Sequence, residues 1–215
     1  MIRIHRQISM AGLIAVVMLL SACGAAKVPD VIENSSLIIK EDGSVTAHVV
    51  DLFDKEYYQL DELSRMASQE VAAFNTSHSG TTREAIELEK VERLEGNPDA
   101  VIVSMQYDGA ESYEEYNGKM LFFGTIAEAE NAGYDFSKMN QVLYNPKRDK
   151  SMVSSELAGE DMEKKHVILL AEQTRVYAPL KVAYMSENAK ALEDGSIDTA
   201  GISDEEYPVI IVLDK

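Results

Sequence analysis

The sequence contains one cysteine, no tryptophan, five prolines and few basic residues. A single cysteine excludes an internal disulfide and any zinc or iron–sulfur centre built from several thiolates. With 20 lysines and arginines against 37 acidic residues, the formal charge is −17. This argues against nucleic-acid binding, because phosphate recognition needs clustered basic side chains. The length of 215 residues allows one domain with a substantial core.

The first 23 residues have the layout of a bacterial secretion signal. A basic start (Arg3, His5 and Arg6) precedes an apolar run of 11 residues, Met10–Leu20, and two small residues then precede Cys23. The apolar run is too short for a membrane-spanning helix. An uncleaved anchor would need a longer run, and cleavage without lipidation would leave an exposed thiol in an oxidising compartment.

The stretch Leu20-Ser21-Ala22-Cys23 resembles the lipobox of bacterial lipoproteins. The resemblance implies cleavage before Cys23 and attachment of diacylglycerol to its thiol, and two acyl chains anchor durably where one is marginal. We therefore expect a signal peptide at 1–22, a lipidated cysteine and flexible tether at 23–35, and a single domain at 36–215. The expected location is the extracytoplasmic side of a bacterial cell membrane.

Removing the signal peptide makes the chain more acidic. It deletes two arginines and no acids, which leaves 193 residues with 18 basic and 37 acidic side chains and a charge of −19. Anionic lipid headgroups repel such a domain at short range. We therefore expect the domain to face away from the membrane, held by its lipid alone.

The mature chain predicts an α+β fold with a mainly antiparallel sheet, a long amphipathic helix on one face and a strand-rich C-terminal portion. Leu37–Asp51 predicts a hairpin turning at Asp42-Gly43, where glycine permits positive φ. Asp61 predicts the N-cap of a helix that ends near Asn75. Its predicted buried stripe is Leu63, Met66, Ala67, Val71 and Phe74.

Further elements follow from alternation and turn residues. Glu84–Leu94 predicts an irregular strand, Gly96–Asp99 a turn, and Val101–Tyr107 the clearest strand in the chain. Thr125 and Glu128 match a capping box. The remaining predicted helices are Ser112–Asn117 and Ser151–Leu157, and the remaining predicted strands are Val167–Ala171, Arg175–Tyr177, Lys181–Ser186 and Tyr207–Leu213. Residues 145–165 are hardest to interpret, and a subdivision there stays open.

Histidine, serine and glycine spacings give no catalytic or metal-binding motif. We expect His48 to be a satisfied sheet histidine, His78 to be solvated in a loop, and His166 to begin a strand. No G-x-S-x-G sequence and no phosphate-binding loop occur. The sequence therefore predicts neither a metal site nor a cofactor.

One cluster provides weak ligand-site candidates. Its members are Tyr107, Glu111, Tyr113, Glu114 and Tyr116. Carboxylates beside exposed aromatic faces are typical of sites that bind or cleave glycans. A solvated loop followed by a short helix has the same composition, and we favour that interpretation.

Two other groups of residues suggest a site less strongly. The acidic residues Asp198, Asp204, Glu205 and Glu206 could offer oxygens to Ca²⁺, although the EF-hand spacing is missing. The pair Tyr57-Tyr58 is expected to pack against the long helix rather than to bind a ligand.

Several stretches together resemble an uncharacterised lipoprotein family of clostridial-type gut bacteria. They are Phe53–Tyr58, Asp61–Leu63, Glu70-Val71, Phe74-Asn75, Phe122–Ala129, Ala132–Phe136 and Lys181–Asn188. The resemblance spans nearly the whole chain, contains no catalytic motif, and implies only the location and one continuous fold. Tyr207-Pro208 departs from the apolar ending of the family. Pro208 predicts either an edge position for the last strand or a late start to its pairing.

The favoured function is a non-enzymatic, lipid-anchored module that binds a partner or takes part in an envelope assembly. Its expected partners are membrane lipid through acylated Cys23 and a protein or glycan at the cell surface, with no nucleic acid. One alternative is an extracellular hydrolase acting through Glu111, Glu114 or Glu115. Another is a solute-capture accessory of a transporter, for which 193 mature residues are few.

Overall fold

The computed structural model describes residues 26–78, 84–201 and 203–214. Its strands are β1 (Ser36–Ile39), β2 (Val45–Leu52), β3 (Ile86–Leu94), β4 (Asn97–Tyr107), β5 (Leu121–Thr125), β6 (Val142–Tyr144), β7 (Ser151–Val153), β8 (His166–Leu170), β9 (Arg175–Tyr177), β10 (Lys181–Ser186), β11 (Lys190–Ala191), β12 (Ile197–Asp198) and β13 (Val209–Asp214). Its helices are α1 (Leu60–Ser77), α2 (Ala110–Asn117), α3 (Ile126–Asn131) and α4 (Phe136–Met139), with a 3₁₀ helix at Ser154–Ala158.

The strands form two sheets. Sheet A has the order β11-β12-β9-β1-β2-β4-β3, and sheet B has the order β5-β8-β13-β10-β6-β7. The pairs are antiparallel except for β1 with β9. The predicted α+β class with mainly antiparallel strands is therefore confirmed. The sequence did not predict two sheets, and strands after residue 165 contribute to both of them.

Sheet B is buried on both faces. Its inner face shares a core with sheet A, in which Ile168 and Ile211 of sheet B lie in one cluster with Leu37 of sheet A. Its outer face packs against helices through a second cluster that includes Ile126, Phe136, Leu157, Leu169 and Ile210. Since alternate residues of a strand point to opposite faces, the central strand β13 must be apolar throughout. All five residues of Val209–Leu213 are 0% exposed.

The N-terminal hairpin forms as predicted. Gly43 has a φ of +87°, and Lys40 N donates to Ser44 O at 2.9 Å. The Asp42 carboxylate accepts from Ser44 N at 3.1 Å. β1 and β2 therefore pair from Ser36 opposite His48 to Ile39 opposite Val45.

Helix α1 differs from its prediction at the start and along one face. Gln59 is the N-cap and helical structure begins at Leu60, which places Asp61 in the first turn instead of at the cap. Ala67 and Val71 are buried as predicted, but Met66 is 46% exposed. The buried face is therefore narrower than the apolar stripe. The predicted loop after Asn75 begins later, because the helix continues to Ser77, and part of that loop lies outside the described residues.

The β3–β4 hairpin is tighter than predicted. β3 ends at Leu94 and β4 starts at Asn97, so the turn consists of Glu95 and Gly96, and Gly96 has a φ of +80°. The prediction of a turn through Asp99 was wrong, because residues 97–99 belong to β4. The predicted irregularity in β3 is confirmed by a register shift between Leu88 and Lys90.

The C-terminal half follows its local sequence signals closely. Thr125 Oγ1 accepts from Glu128 N and the Glu128 carboxylate accepts from Thr125 N, which confirms the capping box. β9 and β10 have their predicted bounds. Pairing of the last strand starts at Val209, after Pro208, and that strand lies in the middle of sheet B. The late start was therefore the correct alternative and the edge position was wrong.

Two smaller expectations are corrected. The segment expected to be helical at 151–157 starts as β7 and continues as the 3₁₀ helix. Tyr58 stacks on Phe53 with ring centroids 4.8 Å apart, and Tyr57 is 73% exposed. The two tyrosines therefore form a surface cluster that includes Phe53.

Residues 26–35, expected to be flexible, lie against the domain. Ala26 N donates to Ala178 O at 3.4 Å and Lys27 N donates to Asp194 O at 3.3 Å. Ile32 packs on the cluster of Leu94, Ala100 and Ile102. Ser35 Oγ accepts from Val50 N at 2.9 Å and donates to Val50 O at 3.3 Å. The chain is thus held by the domain from Ala26 onward, three residues after Cys23.

Candidate functional site

The predicted ligand-site residues lie at the end of β4 and along α2. Gly109 is the N-cap of α2, and Gly118 ends the helix in the left-handed conformation with a φ of 61°. Tyr113, Tyr116 and Asn117 are spaced so that they share one face of the helix, which packs on the core. The eight-residue helix therefore separates its aromatic side chains from most of its carboxylates.

Tyr107 and Tyr113 belong to the core. They are 1% and 4% exposed, and their rings meet edge to face with centroids 5.2 Å apart. Asn117 Nδ2 donates to the Tyr107 hydroxyl at 3.1 Å. Burial is the main reason why the pKa of Tyr107 is raised to about 12. The structure therefore supports neither of the interpretations in which these rings are exposed, as a glycan surface or as a solvated loop.

Glu172, which the sequence did not single out, completes this cluster. The Tyr113 hydroxyl donates to Glu172 Oε2. Burial, followed by the charge of Glu172, raises the pKa of the Tyr113 hydroxyl, so that it stays protonated as a donor. Nothing in the local sequence indicates this contact, because the two residues are 59 positions apart.

The carboxylates of α2 point to different surroundings. Glu111 and Glu115 are exposed and Glu114 is half-buried. Glu115 Oε2 lies 2.8 Å from His78 Nε2, and the other ring nitrogen, Nδ1, lies 2.9 Å from Phe74 O. A pair of catalytic carboxylates would have to face one bound substrate, and Glu115 is instead part of a contact between α2 and the end of α1.

The His78 side chain is 37% exposed, and its ring also makes contacts that the sequence did not predict. Its ring stacks on Phe74 with centroids 3.9 Å apart. The Phe74 carbonyl first, and then Glu115, raise the pKa of His78. His78 therefore joins α1 to α2, and the charged form of its ring strengthens that joint.

An open groove lies beside the tyrosine cluster, at the end of sheet B where β5 begins and β8 ends. It has a volume of about 450 Å³ and is lined by Gly118, Lys119, Met120, Ala171, Ser203, Asp204, Glu205 and Glu206. Three of these eight residues are acidic and one is basic. We call it the acidic groove.

The loop that forms one wall of the acidic groove is held by its own hydrogen bonds. Asp204 Oδ1 accepts from Glu206 N at 3.0 Å and from Tyr207 N at 2.7 Å. The Tyr207 hydroxyl donates to Glu187 Oε1 at 3.0 Å. These contacts fix the backbone and leave Glu205 and Glu206 exposed to solvent.

Tyr134 is influenced by carboxylates from α2 and from the 203–206 loop. Burial, and then Glu114 and Glu205, raise the pKa of Tyr134. Tyr134 is half-buried and packs on Phe122 with ring centroids 5.2 Å apart.

The structure shows where the other residues considered as metal or histidine sites lie. Asp198 lies in sheet A, where its carboxylate accepts from Ala200 N at 3.0 Å, away from the 204–206 loop of sheet B. No group of three or more His, Cys, Asp or Glu residues within 26–78, 84–201 and 203–214 could hold a metal ion. His48 is buried and its Nδ1 lies 2.7 Å from Ser104 Oγ, which confirms a satisfied sheet histidine. His166 begins β8 as predicted.

The acidic groove presents the exposed carboxylates of Glu205 and Glu206. Carboxylates attract ammonium and guanidinium groups and accept hydrogen bonds from sugar hydroxyls. Lys119 is the one basic residue in the lining. The groove is therefore suited to a cationic or hydroxyl-rich ligand.

Comparison of the chain with protein-family models, with curated proteins and with solved structures finds no match. Among the described residues, no helix is long and apolar enough to cross a bilayer.

Proposed function

We propose that this chain is a bacterial lipoprotein whose extracytoplasmic domain is a non-enzymatic binding or envelope-interaction module. Residues 1–22 are its signal peptide, and acylated Cys23 is its membrane anchor. Its partner is a protein or glycan at the cell surface, and nucleic acid is not a ligand. The resemblance to the clostridial-type lipoprotein family is part of the same proposal.

The anchor is supported by the lipobox at Leu20–Cys23 and by the place where the domain starts. Ala26 is already hydrogen-bonded to Ala178. Only two residues separate Ala26 from Cys23 in the sequence, so a lipid on Cys23 would hold the domain close to the headgroups.

The binding function depends on one observation, the acidic groove. Its loop is fixed by Asp204 and Tyr207, while Glu205 and Glu206 stay exposed. A fixed backbone that presents free carboxylates suits recognition, because little conformational entropy is lost when a ligand binds. A lysine- or arginine-rich protein segment or a glycan matches this surface.

Mass spectrometry of the protein extracted from membranes tests the anchor. We expect an N-terminal peptide that begins at Cys23 and carries diacylglycerol, and a protein that partitions into detergent. The variant Cys23→Ser is expected to keep its signal peptide and to lack the lipid. A mature chain with an unmodified Cys23 would contradict the anchor.

Crosslinking in intact cells tests the groove. Lys119 lines the groove, so an amine-reactive crosslinker should capture the partner through this residue. The variant Glu205→Gln with Glu206→Gln is expected to lose the crosslink. The matched control, Glu87→Gln with Glu89→Gln on the exposed edge strand β3, should keep it. Failure to capture any partner at Lys119, or equal capture by both variants, would count against the groove.

A further inference from the structure

Four strands of sheet B place charged residues in one row at the end opposite the acidic groove. Asp214 of β13 stands opposite Lys181 of β10, and the Asp214 carboxylate lies 2.8 Å from Lys165 Nζ and 4.0 Å from Lys181 Nζ. Lys165 immediately precedes β8. Arg148, in the β6–β7 hairpin, is close enough to help lower the pKa of Asp214, after Lys165 and Lys181.

The hairpin between β6 and β7 adds further cations to this row. Lys147, Arg148 and Lys150 are all exposed. We call the row and the hairpin the basic end, defined by Lys147, Arg148, Asp149, Lys150, Lys165, Lys181 and Asp214. It has five cations and two carboxylates in a mature chain whose charge is −19. The turn before β8 carries Glu160, Asp161, Glu163 and Lys164, so the excess of positive charge is confined to the hairpin and the strand ends.

The N-terminal segment enters the domain beside the basic end. Ala26 is hydrogen-bonded to Ala178, and Gly195 also approaches Ala26, since a Cβ on that glycine would meet the Ala26 Cα at 3.4 Å. Lys181 follows Ala178 by three residues, which limits their Cα separation to about 11 Å. The N-terminal segment therefore joins the domain near the start of β10, the strand that carries Lys181.

We propose that the basic end docks on anionic lipid headgroups and that the acidic groove at the other end of sheet B faces away from the membrane. The proposal depends on the lipid anchor at Cys23. Charge complementarity favours this orientation, since each Lys or Arg near an anionic leaflet is attracted to it within a Debye length.

The carboxylates at the groove end do not prevent this contact. A strand of six residues spans about 20 Å, whereas the Debye length at physiological ionic strength is about 8 Å. Carboxylates at the groove end are therefore screened from headgroups that the basic end touches. The repulsion expected from the net charge would hold only if the charge were evenly distributed over the surface of the domain.

Lysine reactivity on vesicles tests the orientation. The mature lipidated protein is reconstituted in vesicles of phosphatidylcholine alone and of phosphatidylcholine with phosphatidylglycerol, and acetylation of each lysine is followed by mass spectrometry. We expect Lys147, Lys150 and Lys181 to react about three-fold more slowly on the anionic vesicles, and high salt to abolish the difference. Lys138, which is 83% exposed, should react equally on both and serves as the internal reference.

Two charge-reversal variants separate docking from mere proximity. Lys147→Glu with Lys150→Glu changes only the exposed hairpin, and protection of Lys181 should disappear. Lys55→Glu with Lys90→Glu makes the same charge change between β2 and α1 and on β3, at side chains that are 53% and 44% exposed, and protection of Lys181 should remain.

The outcomes distinguish this proposal from the anchor itself. Lipidated Cys23 with equal lysine reactivity on both vesicle types would overturn docking and leave the anchor in place. Protection that survives in the hairpin variant would also overturn it. Protection in cells without protection on anionic vesicles would show that an acidic protein or polymer occupies the basic end. A chain without lipid on Cys23 would overturn both proposals.

Discussion

The two ends of sheet B hold their carboxylates by different means. At the groove end, Glu172 and Glu187 accept hydrogen bonds from the hydroxyls of Tyr113 and Tyr207. At the basic end, Asp214 is held by lysine ammonium groups. The same strands therefore terminate in contacts that differ in burial and in charge.

This difference determines how each end should respond to salt. The hydrogen bond that the buried Tyr113 hydroxyl donates gains little from long-range electrostatics, whereas an exposed ion pair is screened. The contribution of the groove end to stability should thus depend on individual tyrosine hydroxyls and not on salt. The basic end should keep its positive surface available for a partner, since its ion pairs contribute little to folding.

The largest expected effect comes from the strand that connects the two ends. Ile211 lies in the middle of β13 and is 0% exposed, so Ile211→Ala should lower the free energy of unfolding by about 4 kcal/mol. Urea unfolding followed by circular dichroism and by tyrosine fluorescence should show one shifted transition. Val142→Ala, at a residue that is 36% exposed, is the control and should change stability by about 0.5 kcal/mol or less. Two separate transitions would mean that the ends unfold independently.

At the groove end, Tyr113→Phe removes the donor to Glu172 and leaves that carboxylate without its partner. We expect a loss of about 2 kcal/mol in the free energy of unfolding. The loss should be the same at low and high salt. Tyr144→Phe removes a hydroxyl from a ring that is 45% exposed and should have no measurable effect. A strongly salt-dependent loss in Tyr113→Phe would remove the contrast between the ends.

At the basic end, Asp214→Asn should cost less than about 1 kcal/mol, because the Asp214 side chain is 41% exposed. Lys165, and then Lys181 and Arg148, lower the pKa of Asp214 below its usual 3.8. The stabilisation is therefore present above pH 3.8 and is lost as the pH falls through the lowered value. Urea unfolding at neutral pH, in low and in high salt, measures the loss in Asp214→Asn. The free energies of unfolding of the variant and the wild type should converge in high salt.

The smallest effect concerns the joint between α1 and α2 on the groove side. The pKa of His78 is raised above its usual 6.5 by the Phe74 carbonyl and by Glu115. Its stabilising effect is complete below pH 6.5 and is lost as the pH rises through the raised value. The free energy of unfolding should be measured on both sides of this pH range. It should be lower in His78→Gln than in the wild type only at the acidic pH. Equal losses at both pH values would mean that packing on Phe74 matters more than charge.

His48 provides the contrasting case for that last measurement. Burial first, and then Lys90, lower the pKa of His48 below 6.5. Protonation of this ring therefore opposes folding as the pH falls below 6.5, whereas protonation of His78 favours it. The pH dependence of the wild type includes both contributions, and the His78→Gln variant removes that of His78.

The elements that were predicted well are those whose signals are local. Gly43 adopts a positive φ at the predicted turn, and Thr125 and Glu128 form the predicted capping box. Such features depend on the backbone of a few neighbouring residues. The predicted turn was wrong at Asn97–Asp99, because these residues belong to β4, which pairs with β3 from Asn97.

The candidate site was predicted only in part. Tyr107 and Tyr113 were correctly grouped, but their burial depends on sheet B, which is distant in sequence. Glu172 and the 203–206 loop reach the same region through pairings of β8 and β13. No spacing in the sequence predicts contacts between residues so far apart in the chain. These residues meet only because whole faces of the sheets are buried together.

The sequence by itself determined the turn at Gly43, the capping box of Thr125 and Glu128, most of the strands and the resemblance of Leu20–Cys23 to a lipobox, because each depends on neighbouring residues. Only the tertiary structure decided that the strands divide into two sheets and that the tyrosines are buried. It also decided that the charges separate to opposite ends of sheet B. The charge separation arises from the pairing of strands that are far apart in the chain. The net charge of a chain does not show where its charged residues lie in the fold.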